Sequence, residues 1–218
     1  VKPGQTVDVS RVSVEGLAGA DNRLCALGGT LIVPSNEPWT NAITVIARQP
    51  TVIKAGANGT GAVVIGDGHT FICDTATTVL GSLTVADGGV LTHTSGGAYR
   101  IDLSVTGDVV VEDGGRISQG GGEVKGAGAG DRAGGAYGGL AQYAKGHCYG
   151  SLTKPISVGC DASGPWGLTK AGGAVKISTP RSIRIEGSIE MNGGRRQRFG
   201  RQCLVDLRHA FGRGQDCR

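Results

Sequence analysis

Large side chains are scarce in this sequence. It holds three Phe, four Tyr, two Trp and one Met among 218 residues. Any core must therefore be built from Val, Ile, Leu and Ala, which suits narrow, flat layers of strand. Before residue 195 no long stretch carries apolar residues at helical spacing. No apolar run approaches the ~20 residues of a membrane-spanning helix. The chain opens at Val1 without a leader-like segment, as expected of a mature or excised fragment. Its six cysteines, at positions 25, 73, 148, 160, 203 and 217, make no C-x-x-C pair, which excludes zinc-ribbon and redox spacings. P-loop, G-x-S-x-G and H-E-x-x-H motifs are also missing, so no metal or cofactor is expected.

Charge of one sign is lacking over most of the length. The net charge is +4, but residues 195–218 alone carry seven Arg against two Asp. Residues 1–194 hold 15 Lys and Arg against 16 Asp and Glu and are close to neutral. A nucleic-acid or anionic-membrane partner is not expected from such a body.

Glycine is what the sequence has instead: 41 residues, well over twice the usual share of about 7%. There is no G-X-Y period, which excludes collagen. Residues 81–92 read G-S-L-T-V-A-D-G-G-V-L-T and residues 107–118 read G-D-V-V-V-E-D-G-G-R-I-S, so an Asp-Gly-Gly triplet recurs at the same place in each copy, at Asp87 and at Asp113. In each copy alternate residues (Leu83 and Val85, Val109 and Val111) share one face of a strand. The triplet then supplies an acceptor side chain and residues free to adopt positive φ, so the chain turns before a second short strand. Residues 182–194, S-I-R-I-E-G-S-I-E-M-N-G-G, are a looser third copy with the shorter turn Glu186-Gly187. One strand–turn–strand unit cannot bury its apolar side alone, whereas stacked copies form a continuous core. The expectation is an all-β parallel β-solenoid, or β-helix, with Val85 stacked on Val111 and Asp87 and Asp113 at one corner.

Further strands are expected within residues 1–14 and at 29–33, 43–47, 51–54, 62–65, 70–73 and 77–80, each short, β-branched and bounded by Gly, Pro, Asn or Asp. Residues 119–173 break the pattern with 17 Gly and few apolar pairs, and strands resume at 174–178 and 183–191. That stretch reads as a long glycine-rich loop insertion leaving one corner of a single solenoid domain, residues 1–194.

Candidate chemistry is sparse. Residues 128–133, G-A-G-D-R-A, fit a dinucleotide-binding pattern but have glycine-rich loop on both sides instead of a strand and a helix. Asp74, Asp87, Asp102, Asp108 and Asp113 are the carboxylates a polysaccharide-cleaving enzyme would need to gather on one face. For Asp87 and Asp113, capping their own turns is the simpler use. His69, His93 and His147 have no triad partner at recognisable spacing. Four of the six Tyr and Trp fall in the insertion: Tyr137, Tyr143, Tyr149 and Trp166. They anchor the loop or stack on sugar rings, and Tyr137, Tyr149 and Trp166 are the candidate carbohydrate-binding residues. Cys148 and Cys160 flank a glycine-rich loop and would bridge in an exported protein, or else are buried thiols.

Several of these pieces, in order, resemble a known bacterial module. They are Gly134-Gly-Ala-Tyr-Gly-Gly139, Tyr149-Gly-Ser-Leu-Thr-Lys-Pro155, Gly172-Gly-Ala-Val-Lys-Ile177 and Gly187-Ser-Ile-Glu-Met-Asn-Gly-Gly194. They are similar to the glycine-rich segment of large cell-surface and autotransporter-like β-helix proteins, and residues 81–120 look like the strands ahead of it. The match spans about residues 77–194, departing from the family at Cys160-Asp161, where it usually runs Gly or Ser. The resemblance implies a right-handed parallel β-helix in an extracellular or cell-surface setting. It implies no reaction and carries over no catalytic residue. The expected function is structural, an adhesin- or stalk-like segment that meets a cell-surface glycan or protein. The rival is a carbohydrate-binding or polysaccharide-degrading enzyme of pectate-lyase-like fold.

The composition changes abruptly after Gly194. Residues 195–218, R-R-Q-R-F-G-R-Q-C-L-V-D-L-R-H-A-F-G-R-G-Q-D-C-R, read as a non-native or disordered basic tail: a nucleic-acid-binding tail, a solvated charged end or, the reading favoured, a segment translated out of frame. Codons for it can be chosen so that a start one nucleotide later gives A-G-S-G-S-A-G-S-V-W-L-T-C-G-T-L-S-G-E-G-K-I-A. Cys203 and Cys217 are then not a designed disulfide.

Overall fold

The computed structural model describes residues 1–9, 23–33, 44–56, 61–66, 68–94, 99–118, 162–164, 167–169 and 172–192. The basic tail and most of the glycine-rich insertion lie outside them. The described residues are all-β, with no helix among them. In chain order the strands are Thr6–Asp8 (β1), Arg23–Val33 (β2), Thr44–Ala55 (β3), Ala62–Ile65 (β4), Thr70–Cys73 (β5), Ala76–Leu80 (β6), Ser82–Val85 (β7) and Val90–Thr92 (β8). There follow Ile101–Val105 (β9), Val109–Val111 (β10), Arg116–Ser118 (β11), Ala162–Gly164 (β12), Gly167–Thr169 (β13), Val175–Ser178 (β14), Ile183–Ile185 (β15) and Ser188–Glu190 (β16). Period-two alternation sets the burial: in both β5 and β7 half-buried side chains alternate with buried ones.

Apart from the antiparallel hairpin β12–β13, the strands pair in parallel. They fall into three rows. In the first, β2, the second half of β3, β6, β9 and β14 lie side by side. The second row is β4, β7, β10 and β15. The third joins the first half of β3 to β5, β8, β11 and β16. The chain visits the rows in turn and comes back to each beside its previous visit. Because β2 and β3 run on from the third row into the first, those two rows, with β1 paired to β2, form one ten-stranded sheet, and the second row forms a four-stranded sheet.

Both sheets curl round one aliphatic core. Leu31, Ile53, Val79 and Val105 make one inward column, Ile65, Val85 and Val111 another, and Val45, Phe71, Leu91 and Ile117 a third; all are buried. Val85 is registered on Val111 and Leu83 on Val109, as the repeated sequence requires. The third copy also holds its place, with β15 on β10 and β16 on β11. The insertion starts just after β11, yet β14 pairs with β9, so its two ends stand in consecutive circuits.

Glycine is required where circuits press together at the corners. Gly81 has φ of 90°, and a Cβ there would lie 1.7 Å from the Gly61 carbonyl oxygen. Gly107 continues this seam, its N–H donating to the Gly81 carbonyl at 2.8 Å. At the next corner Gly89 N–H donates to Ala86 O and Gly115 N–H to Glu112 O, both at 2.9 Å. Gly88 and Gly114 take the third turn position with φ of 70° and 79°, the left-handed geometry of a type II turn.

Two elements are longer than expected from the sequence. The break between residues 47 and 51 is not a strand end, since β3 runs through it. Arg48 is the extra residue of a bulge opposite Ala26 and Leu27, and Arg48, Gln49 and Pro50 point out to solvent. A bulge bends a strand without ending it, so β3 turns the corner in one piece. Likewise β2 begins at Arg23, well before the expected start at Gly29. At the N-terminus only Thr6–Asp8 is strand, and residues 10–14 lie outside the described residues.

Replacing Val111, which is 0% exposed, separates the packing contribution from the charge effect. Val111→Ala should cost about 2 kcal/mol in urea unfolding followed by circular dichroism. Val111→Asp should abolish the cooperative transition, because it places an unpaired carboxylate among aliphatic side chains.

Candidate functional site

The five candidate carboxylates are spread over three corners, and most are committed to neighbouring groups. Asp74 follows β5 and is buried; Thr94 donates to it through its N–H at 2.7 Å and its hydroxyl at 2.8 Å. Arg48 Nε stands 3.9 Å from the Asp74 Oδ2. Asp102, on the outer side of β9, pairs with Arg100 at 3.1 Å and with Lys176 of β14 at 3.3 Å. Asp108 is exposed and accepts from the Ser182 N–H at 3.0 Å and the Ser182 hydroxyl at 2.7 Å. Asp87 and Asp113 are exposed at the second position of their turns. Asp87 leans against the turn above: a Cβ on Gly114 would meet its Oδ1 at 1.9 Å.

Among the described residues, two places on the surface gather polar side chains. One is a shallow open groove of about 460 Å³ along the glycine seam, lined by Gly61, Ala62, Gly81, Ser82, Thr106, Gly107, Asp108 and Arg181. Its polar groups already serve as clamps between circuits. The Thr106 hydroxyl accepts from Gly81 N–H at 2.8 Å and donates to Gly81 O at 3.3 Å. Thr179 donates its hydroxyl to the Gly107 carbonyl and accepts from the Arg181 N–H at 3.1 Å. The other place is the corner between the third and first rows, where the insertion departs. Arg48, Asp74, Arg100, Asp102 and Lys176 cluster there with signs interleaved.

The aromatic candidates Tyr137, Tyr149 and Trp166, with Tyr143, lie outside the described residues, as do His147, Cys148, Cys160, Cys203 and Cys217. His69 and His93 are buried. The Nδ1 of His93 is 2.8 Å from the Thr94 carbonyl, which only accepts, so that nitrogen carries the proton. Its Nε2 faces the interior without a hydrogen-bond partner. Burial pushes the Cys73 thiol up to about 11, against the opposing contacts of the Asp102 carbonyl and the Thr77 hydroxyl, so it sits in the core as a protonated thiol. Among the described residues no group of three or more His, Cys, Asp or Glu is placed to hold a metal ion. No helix among them is long and apolar enough to cross a membrane.

Some of this order escaped the reading of the sequence. Gly66, Gly68 and His69 form the same turn as the two triplets, with His69 N–H donating to Gly66 O at 2.9 Å and φ of 71° at Gly68. The signal was the Asp67-Gly68 pair, but it stands closer to Asp87-Gly88 than that pair does to Asp113-Gly114, and it is followed by His. The contact from Asp74 to Thr94 spans the same short circuit, and no local motif marks it. No protein-family model, curated protein or solved structure matches the chain.

The Asp108 clamp responds to acid in a defined direction. The Ser182 hydroxyl and N–H, with Arg181 nearby, hold the carboxyl below its ordinary 3.8. A depressed folded value means that the clamp contributes fully above 3.8 and is lost as pH falls through the folded value. The Ser182 amide resonance should therefore titrate with a midpoint below 3.8, and that step should vanish in Asp108→Asn. A midpoint at or above 3.8 would contradict the assignment.

Proposed function

We propose that the three rows are the faces of a right-handed parallel β-solenoid acting as a structural, adhesin- or stalk-like spacer of a secreted or cell-surface protein. The observation that carries this reading is register across the insertion. Val175 to Ser178 pair with Ile101 to Ser104 in unbroken order, although the whole insertion intervenes between β11 and β14. A scaffold that tolerates so long a departure at one corner holds its geometry through contacts between stacked circuits and leaves that corner free to display a loop. Right-handedness follows from the strong bias of crossover connections between parallel strands. The extracellular setting rests on the resemblance of the glycine-rich motifs to surface β-helix proteins.

The carboxylates favour a scaffold over a polysaccharide-cleaving enzyme. Asp74 and Asp102 share the corner between the third and first rows but are held there by Thr94 and by Arg100 and Lys176, while Asp108 is held by Ser182 at another corner, so no three of the carboxylates meet in one groove among the described residues. If the loop has a ligand, Tyr137, Tyr149 and Trp166 are the residues to stack on its sugar rings.

Two measurements test this reading. Small-angle scattering should give an elongated particle whose length grows by ~4.8 Å per circuit. On a panel of pectic and other acidic polysaccharides no new chain ends should form, while any glycan-array binding should fall in the Tyr137→Ala, Tyr149→Ala and Trp166→Ala variants. Cleavage that Asp108→Asn or Asp74→Asn abolishes would replace the spacer with the enzyme.

A further inference from the structure

The described strands end in an apolar face. Val111 is 0% exposed, whereas Ile185, next in the same column, is 37% exposed, and Ile183 and Ile189 are half-buried. Among the described residues β14, β15 and β16 are the last strands of their rows. The backbone of this face is also directional. Val109 N–H donates upward to Ser182 O, and Glu112 N–H donates downward to Val85 O. By the same alternation the N–H groups of Ile183, Ile185 and Ile189 point toward the next position in the stack.

We propose that this face takes one further circuit of the same kind, and that the same gene encodes that circuit in the frame beginning one nucleotide after the start of the Arg195 codon. The proposal rests on the solenoid reading and names the segment that continues it. Each shifted codon draws its first base from the second base of a tail codon and its last from the first base of the following codon, so little but its middle base varies. Cys203-Leu204 then allows only Val or Ala, Gln215-Asp216 only Lys or Arg, and Asp216-Cys217 only Ile or Thr.

Within those limits the codons can be chosen so that the shifted string repeats this chain's own last circuit. Its G-S-V-W-L-T lies over residues 173–178, G-A-V-K-I-S, and its T-L-S-G-E-G-K-I-A lies without a gap over residues 182–190, S-I-R-I-E-G-S-I-E. Val falls over Val175, Leu over Ile177, Leu over Ile183 and Ile over Ile189, all inward positions of the core. Over Ile185 the Gly212-Arg213 codons also allow Val or Ala. A glycine falls over Gly187, at a corner where a Cβ on Gly187 itself would already lie 2.2 Å from the Gly115 carbonyl oxygen. The two halves differ in offset by a single position, and each offset is close to the spacing from Val85 to Val111. Seven arginines in the tail follow eight in all of residues 1–194, and the shift accounts for that change as well.

Sequencing the gene through codons 192–218 is the first test. The shifted frame should stay open and place aliphatic residues in the inward columns; a stop codon or polar residues there overturns the proposal. The second test compares amide hydrogen exchange in the full chain and in the product of the gene lacking the first nucleotide of codon 195. Exchange at Ile183, Ile185 and Ile189 should slow by about tenfold or more in the latter, because those N–H groups gain partners. Unchanged exchange there, with β7 and β10 amides protected in both proteins, overturns the proposal alone. Unprotected β7 and β10 amides in both overturn the solenoid reading and the proposal with it. End-to-end association of the full chain that persists in the second product assigns the face to a second copy and overturns it too.

Discussion

Everything in the described part of this chain depends on one circuit lying on the next in the same register. A parallel strand satisfies its backbone groups only through its neighbours, so a slip of one residue would turn Val85 and Val111 outward and bring Thr84 and Val110 into the core. Aliphatic columns hold the register from inside. From outside it is held by corners where glycine alone fits, as at Gly81 against the Gly61 carbonyl. Neither suffices alone: the columns are interchangeable Val, Ile and Leu, and the glycines bury little apolar surface.

The polar side chains serve the same constraint. Asp74 holds Thr94 one circuit on, Asp108 holds Ser182, and Thr106 clamps Gly81. Each contact crosses from one circuit to a neighbour, so the carboxylates that first suggest catalysis are taken up in holding circuits together. The long glycine-rich segment is tolerated because it leaves where a strand has already ended. Neither β11 nor β14 gives up its pairing to make room for it.

The legibility of the fold follows from how local each signal is. The Asp-Gly-Gly turns and the alternation of Leu83, Val85, Val109 and Val111 are contained within short stretches, and they revealed both the repeat and its register. The circuit from Phe71 to Leu91 is shorter than the one from Leu91 to Ile117 and opens on Gly68-His69, so it broke the period and hid. Proline at position 50 marked a strand end, although an outward bulge tolerates it. The hairpin β12–β13 lay concealed in glycine-rich sequence, where neither strand has an aliphatic alternation to show. For the candidate site, the carboxylates were legible and their partners were not, because pairs such as Asp102 and Lys176 are brought together from either side of the whole insertion.

The register of the second row can be measured directly. Thr84 and Val110 are adjacent on its outer side, and Arg184 is adjacent to Val110 on the next strand. Cysteines at 84 and 110 would have Cα atoms ~4.8 Å apart, within the range of an unstrained disulfide. Cysteines at 84 and 184 would be ~9.6 Å apart, beyond it. Peptide mapping after mild oxidation should find the 84–110 bridge near completion with thermal stability equal to or above that of the reduced protein, and no 84–184 bridge. Equal yields of both bridges, or an 84–184 bridge alone, would contradict the stacking from which the rest of the account follows.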